Sequence, residues 1–147
     1  MASFHQLTTE ELTLVVGDNS SHEHHEASYN GIWRMTSVHD DRTLFVPRYC
    51  GMNFEFIAPM RAEDPEEPRT HPTQLIVDEV ECQVTLHQPP TPTHHVESWM
   101  TYRIAGPAHL DWSFRYRLYE PAAFPTGVAA SFLPATSTNR RTRRYTC

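Results

Sequence analysis

Lysine is absent from this chain: all twelve of its basic residues are arginine. That fits a GC-rich coding sequence, because arginine codons are rich in G and C and lysine codons are not. The chemical alternative is a surface on which every cation is a planar, bidentate donor. Glycine is scarce too, five in 147 residues, and no Gly-rich phosphate loop can be drawn. There is no GxSxG elbow, and Cys50 has no activating base beside it in sequence, which leaves nucleophilic catalysis without support. Three scattered cysteines (Cys50, Cys82, Cys147) exclude a disulfide framework and a CxxC zinc pattern. No run reaches the roughly 18 apolar residues of a membrane span. The opening MASFHQLTTEELTLVVG lacks the basic region and apolar core of a signal peptide. The cytoplasm is therefore the default location, with no membrane partner. A formal charge of −6 disfavours nucleic acid as a general partner.

What is present points to strands. One domain suits the length, and twelve prolines with 11% aromatics suggest short strands joined by stiff turns. Period-2 alternation dominates. In HLDWSFRYRLYE (109–120), Leu110, Trp112, Phe114, Tyr116 and Leu118 oppose Asp111, Ser113, Arg115 and Arg117. In VESWMTYRI, Val96, Met100, Tyr102 and Ile104 oppose Glu97, Trp99, Thr101 and Arg103. EVECQVTLH sets Val80, Cys82, Val84 and Leu86 against Glu81, Gln83 and Thr85, which makes Cys82 a small core residue. Further strands are expected at Glu11–Val16, Ser28–Val38, Thr43–Val46 and Asn53–Ile57, with hairpin chemistry in VGDNSS, HDDR and AGPAH. Strands with one apolar and one polar face, at hairpin spacing, read as an all-β antiparallel sandwich occupying residues 1–125. The proline-rich 58–73 reads as an exposed acidic loop. HQPPTPTHH (87–95) reads as a rigid extended connector, or a ligand for a proline-binding partner.

Residues 126–147 differ from the rest: they hold no acidic residue and four arginines within five positions. Three readings stand: a basic tail that meets an acidic surface or nucleic acid, a solvated disordered end, or GC-rich sequence read out of frame. Reading the coding DNA in the other two frames beyond codon 125 separates the third from the others.

SYNGI (28–32), LFVPRYCGMNFEFI (44–57) and LHQPPTPTHHVESW (86–99) occur together. This chain thereby resembles a group of largely uncharacterised bacterial proteins with the patterns YNGI, LFVPxYxGxNFEHI and QPPTPxxxxESW. The resemblance covers about residues 28–120 of a group roughly twice this length. It implies a β-sandwich of the sugar-binding kind, distantly like the aldose-epimerase sandwiches, and it implies no reaction. Phe56 stands where the pattern often has histidine, and no aromatic strand follows Phe124. On that comparison the sandwich is incomplete at its C-terminal end and the chain is a truncated half.

Two constellations could carry chemistry. Sugar sites join an aromatic platform to carboxylates and arginines that bind hydroxyls, and acid–base sugar chemistry adds a second proton-transfer group, often histidine. Glu97, Glu55 and His87 are the candidate catalytic groups, with Trp99, Arg48, Tyr49 and Arg103 as ligand-binding residues and a carbohydrate as partner. No cofactor is required for that reading. The other constellation is SSHEHHE: if residues 22–26 are extended, His22, His24 and Glu26 share a face and could hold zinc, iron or manganese, as in a cupin-like enzyme. The cupin match is partial, because the glutamate follows the second histidine by only two positions and the later Pro-x-Gly…His element is missing. A polar hairpin loop with incidental metal affinity, or a pH-sensitive element, are the other readings of the cluster. A non-catalytic structural or interaction module is the remaining class for the whole chain.

Overall fold

The computed structural model describes residues 3–46, 48–58, 67–125, 127 and 129–133, without the side chains of 56, 58 and 129–133. It is an all-β, antiparallel sandwich. Among the described residues nine strands run in chain order: β1 Phe4–Thr8, β2 Leu12–Gly17, β3 Gly31–Ser37, β4 Asn53–Ala58, β5 Gln74–Asp78, β6 Gln83–Gln88, β7 Val96–Gly106, β8 His109–Leu118 and β9 Ala129–Leu133. They form a three-stranded sheet β1-β2-β3, a four-stranded sheet β5-β6-β7-β8 and a two-stranded ribbon β4-β9. Among the described residues no helix is long and apolar enough to cross a membrane.

The alternation fixes which faces meet. Leu7, Leu14, Val16 and Ile32 point inward from the first sheet, and Val84, Leu86, Val96, Met100 and Tyr102 from the second. Phe45, Phe54 and Ile57 join them in one core. Tyr102 is fully buried and spans the interior, its hydroxyl donating to the Met52 carbonyl at 2.6 Å. The long β7–β8 hairpin closes on Pro107–Ala108, with Gly106 opposite His109, as the AGPAH turn implied.

Several expectations need correction. Val80 and Cys82 are not core residues: Val80 is 90% exposed and Cys82 lies in the exposed turn before β6. The Asp78 carboxylate accepts the backbone N–H groups of Val80 and Glu81, both at 3.1 Å, and this turn delays β6 to Gln83, four residues after the alternation from Glu79 begins. Thr43–Val46 forms no strand. The Thr43 hydroxyl accepts from the N–H groups of Met35 and Phe45, and Phe45 plunges into the core against Gly51. A Cβ on Gly51 would sit 2.1 Å from that ring, so the close approach requires glycine there.

The two proline-rich segments are built into the fold where they are described. Glu67 is buried; its carboxylate accepts the N–H groups of Thr93 and His94, both at 3.1 Å. Gln88 donates to the carbonyls of Pro68 and His71, and Asn19 donates to those of Arg69 and His71. His87 and Gln88 thus end β6, and the rest of 87–95 is no extended connector, since the Thr91 N–H donates to the Val96 carbonyl and the His95 N–H to the Thr91 carbonyl across a turn. The expectation that no aromatic strand follows Phe124 is also corrected: Ala129–Leu133, whose sequence includes Phe132, pairs with β4; the four arginines lie outside the described residues.

Candidate functional site

Three of the expected site residues, His87, Glu97 and Trp99, meet on the outer face of the four-stranded sheet, where Arg115 joins them. His87 (β6), Trp99 (β7) and Arg115 (β8) stand at one register across adjacent strands. The imidazole stacks on the indole at 5.2 Å and 10°, and the Arg115 guanidinium lies 4.4 Å from the indole centroid on the other side. Both ring faces of Trp99 are therefore occupied from within. His87 Nε2 is 2.8 Å from Glu97 Oε1, while the Tyr119 hydroxyl donates to Glu97 Oε2 at 2.6 Å. The Tyr119 bond, then that of His87, holds the Glu97 carboxyl below the usual carboxylate range. Lower on the same face Thr85 bonds Thr101, and Arg103 donates to Asp111 at 2.6 Å. This face is flat and satisfies itself, strand by strand.

The other expected residues belong to a second network. Glu55 is the unpaired residue of a bulge in β4, which turns its side chain towards the 67–73 loop. It accepts from Asn53 Nδ2 at 2.9 Å and from Arg69 at 3.2 Å, and Arg69 in turn donates to the Tyr29 hydroxyl. Tyr29 packs on Tyr49, and Arg48 lies 5.7 Å from the Tyr49 centroid while pairing with Glu26. No described contact joins Glu55, Arg48 or Tyr49 to Glu97 or Trp99. Cys50 lies beneath this network, its thiol donating to the Asn30 carbonyl, and burial pushes the thiol pKa up, away from nucleophilic use.

The histidine cluster takes a shape that extended geometry does not describe. His22 and His25 exchange backbone bonds at 3.1 and 2.8 Å across a tight turn, with Glu23 in the left-handed region at φ 49°. His22, His24 and Glu26 therefore share no face. Glu26 is held by Arg48, whose hydrogen bond lowers its carboxyl pKa. Among the described residues no group of three or more potential ligands is placed to hold a metal ion.

What the loop does instead is roof the outer face of the three-stranded sheet. Trp33 is the extra residue of a bulge in β3, since Val15 pairs Arg34 and Val16 pairs Ile32. Its ring lies flat over Gly17, where a Cβ would come within 2.0 Å, so only glycine gives it that seat. His25 stacks on it at 4.2 Å and His22 at 5.8 Å, and Phe4 tilts against both Trp33 and His22 at 5.7 and 4.8 Å. His25 is buried; that burial lowers its pKa despite the Tyr29 and Tyr49 carbonyls and Asp18. His25 Nε2 and the indole N–H both meet the Tyr29 carbonyl.

Between this wall and the loop after β3 opens a pocket of about 520 Å³. Phe4, Trp33 and Val15 give it apolar surface, and Gln6, His24, Arg34, Asp41 and Thr43 give it polar groups. Phe4 and His22 show ring surface to solvent, 37% of the residue and 41% of the side chain respectively. Sequence reasoning missed Trp33, because a bulge residue breaks the alternation that would have placed it. Tyr119 and Arg115 were visible only as strand residues, without the register that brings them to Glu97 and Trp99.

No family model, curated protein or solved structure matches this chain.

Proposed function

We propose that the protein binds a carbohydrate, and that the sugar occupies the pocket roofed by the histidine turn. The observation that carries this reading is the pairing, in one 520 Å³ concavity, of aromatic ring surface with amide, guanidinium, carboxylate and hydroxyl side chains. The C–H face of a pyranose is apolar and its rim is hydroxylated, so it needs both kinds of surface at right angles. Phe4 and His22 offer the first; Gln6, Arg34 and Asp41 offer the second.

The outer face of the large sheet supports binding less well, because Trp99 has a partner on each ring face and both Glu97 oxygens are engaged. Glu55 is engaged in the same way. The proposal is accordingly confined to recognition and assigns no reaction; the compartment that goes with it, on sequence grounds, is the cytoplasm. Calorimetric titration with a panel of mono- and disaccharides tests it. The expected result is saturable binding by at least one sugar, weakened roughly tenfold or more by Phe4→Ala. No binding across the panel by the folded protein, or binding indifferent to Phe4→Ala, would sink it.

A further inference from the structure

β8 closes the four-stranded sheet on one side, and among the described residues no strand pairs with its outer edge. An edge strand is a template for another strand, and proteins commonly blunt it with proline, lysine, a bulge or short length. His109–Leu118 has ten residues, no proline and no bulge of its own, and its charges, Asp111, Arg115 and Arg117, all fall on the outer face. Its inward row is also poorly covered. Val96, Met100 and Tyr102 of neighbouring β7 are at most 2% exposed, whereas Tyr116 is 45% exposed and Leu110, Trp112, Phe114 and Leu118 are only partly buried. Trp112, Phe114 and Tyr116 stand in a file, successive rings 6.5 and 5.8 Å apart and within 24° of parallel.

The order of residues along this strand is self-complementary. Antiparallel to itself about a twofold at Phe114, β8 sets Leu110 against Leu118, Trp112 against Tyr116 and Phe114 against its own copy. On the outer face the same register sets Asp111 against Arg117 and Ser113 against Arg115. Opposed residues share a face in antiparallel pairing, so apolar meets apolar along the inward row, and on the outer row one acid–base pair, Asp111 with Arg117, recurs at each end. Moving the twofold to Arg115 places Arg115 against Arg115. Moving it to Ser113 leaves Leu118 against Ala108 of the turn that precedes β8 and Arg117 against His109.

We propose that β8 is an interface between two copies of this chain, which join edge to edge about Phe114 into one continuous eight-stranded sheet. The contact is isologous and closes at two, because each copy uses the same edge of β8, the longest edge left unpaired among the described residues. It leaves the pocket of the small sheet open, so sugar binding and pairing are separate properties.

Sedimentation equilibrium over a wide concentration range tests it, with folding of every variant checked by circular dichroism and thermal melting. The native protein is expected to be a reversible dimer. Arg117→Asp places two acids in opposition at each end and is expected to raise the dissociation constant roughly tenfold or more. Asp111→Arg, which also loses its bond to Arg103, should do the same, and the Asp111→Arg/Arg117→Asp exchange should restore the dimer. A folded native protein that stays monomeric, or a dimer indifferent to both reversals, overturns the proposal. So does a monomer whose outward β8 amides exchange slowly, since the edge is then covered by its own chain.

Discussion

Trp33 and Trp99 each lie on the outward face of a sheet and each stack on a histidine, yet they end in opposite surroundings. Trp99 is covered by its cross-strand neighbours, His87 on one side and Arg115 on the other, both rising from the sheet itself. The result is a flat, mutually satisfied surface. Trp33 is covered by a turn that arches over from between β2 and β3, bringing His22 and His25 onto a ring seated over Gly17. An arch leaves space beside it, and that space is the pocket. Residue types suited to chemistry are therefore a weak guide when they alternate along strands, since the sheet pairs them with one another. The same types on a loop folded across a sheet can enclose a volume.

The largest test of this contrast removes each indole. Trp33→Ala is expected to cost about 4 kcal/mol of stability, because the ring is buried and the turn above it loses its seat. Trp99→Ala removes a partly buried ring and a cation–π contact and is expected to cost about 1 kcal/mol. Urea unfolding of the two variants reads the difference, and equal losses would break the comparison. Gly17→Ala comes next: its methyl group must displace the Trp33 ring, at roughly 2 kcal/mol, and should weaken ligand binding in step.

Acid should loosen the two faces in order. His25 has its pKa lowered from 6.5 by burial, so the stability it confers is complete above that value and is lost as pH falls towards its folded value. Glu97 has its pKa lowered from 4.5, first by the Tyr119 bond, so its contribution persists until pH falls below 4.5. Followed through the His25 and Trp33 ring resonances and the Glu97 carboxyl carbon, the roof over Trp33 should respond before the Glu97 carboxyl. The reverse order would contradict the assignment of burial at His25. The smallest effect is that of Tyr119→Phe, which should move the Glu97 carboxyl pKa back up and leave ligand binding unchanged. A carbon-13 carboxyl titration measures the first, calorimetry the second.

How much of this was legible beforehand depended on length of pattern. The alternating faces of β7 and β8 extend over ten residues or so, and there the pattern placed Met100, Tyr102, Glu97 and Trp99 on the faces they occupy. β1 and β5 are five residues each and bury little, Leu7 alone being buried from β1 and no residue from β5, so they left almost no periodic trace. Cys82 followed an alternation that the Asp78 turn interrupts. The candidate sugar residues were found as types and scattered as positions: His87, Glu97 and Trp99 meet, while Glu55, Arg48 and Tyr49 belong to another network and Arg103 pairs with Asp111. Register and bulges decide such meetings, and neither is written in a local pattern. The histidine cluster shows the same limit. Its spacing suggested a shared face, but the exchange of backbone bonds between His22 and His25 folds it into a turn.

The most direct measurement follows the indole N–H resonances of the three tryptophans, Trp33, Trp99 and Trp112, together with the backbone amides, as a binding saccharide is titrated in. Shifts confined to Trp33, Phe4 and the His22–His25 turn, with Trp99 unmoved, are the outcome this account predicts. Shifts at Trp99, His87 and Glu97 with the Trp33 signal unmoved would contradict it and return recognition to the flat face.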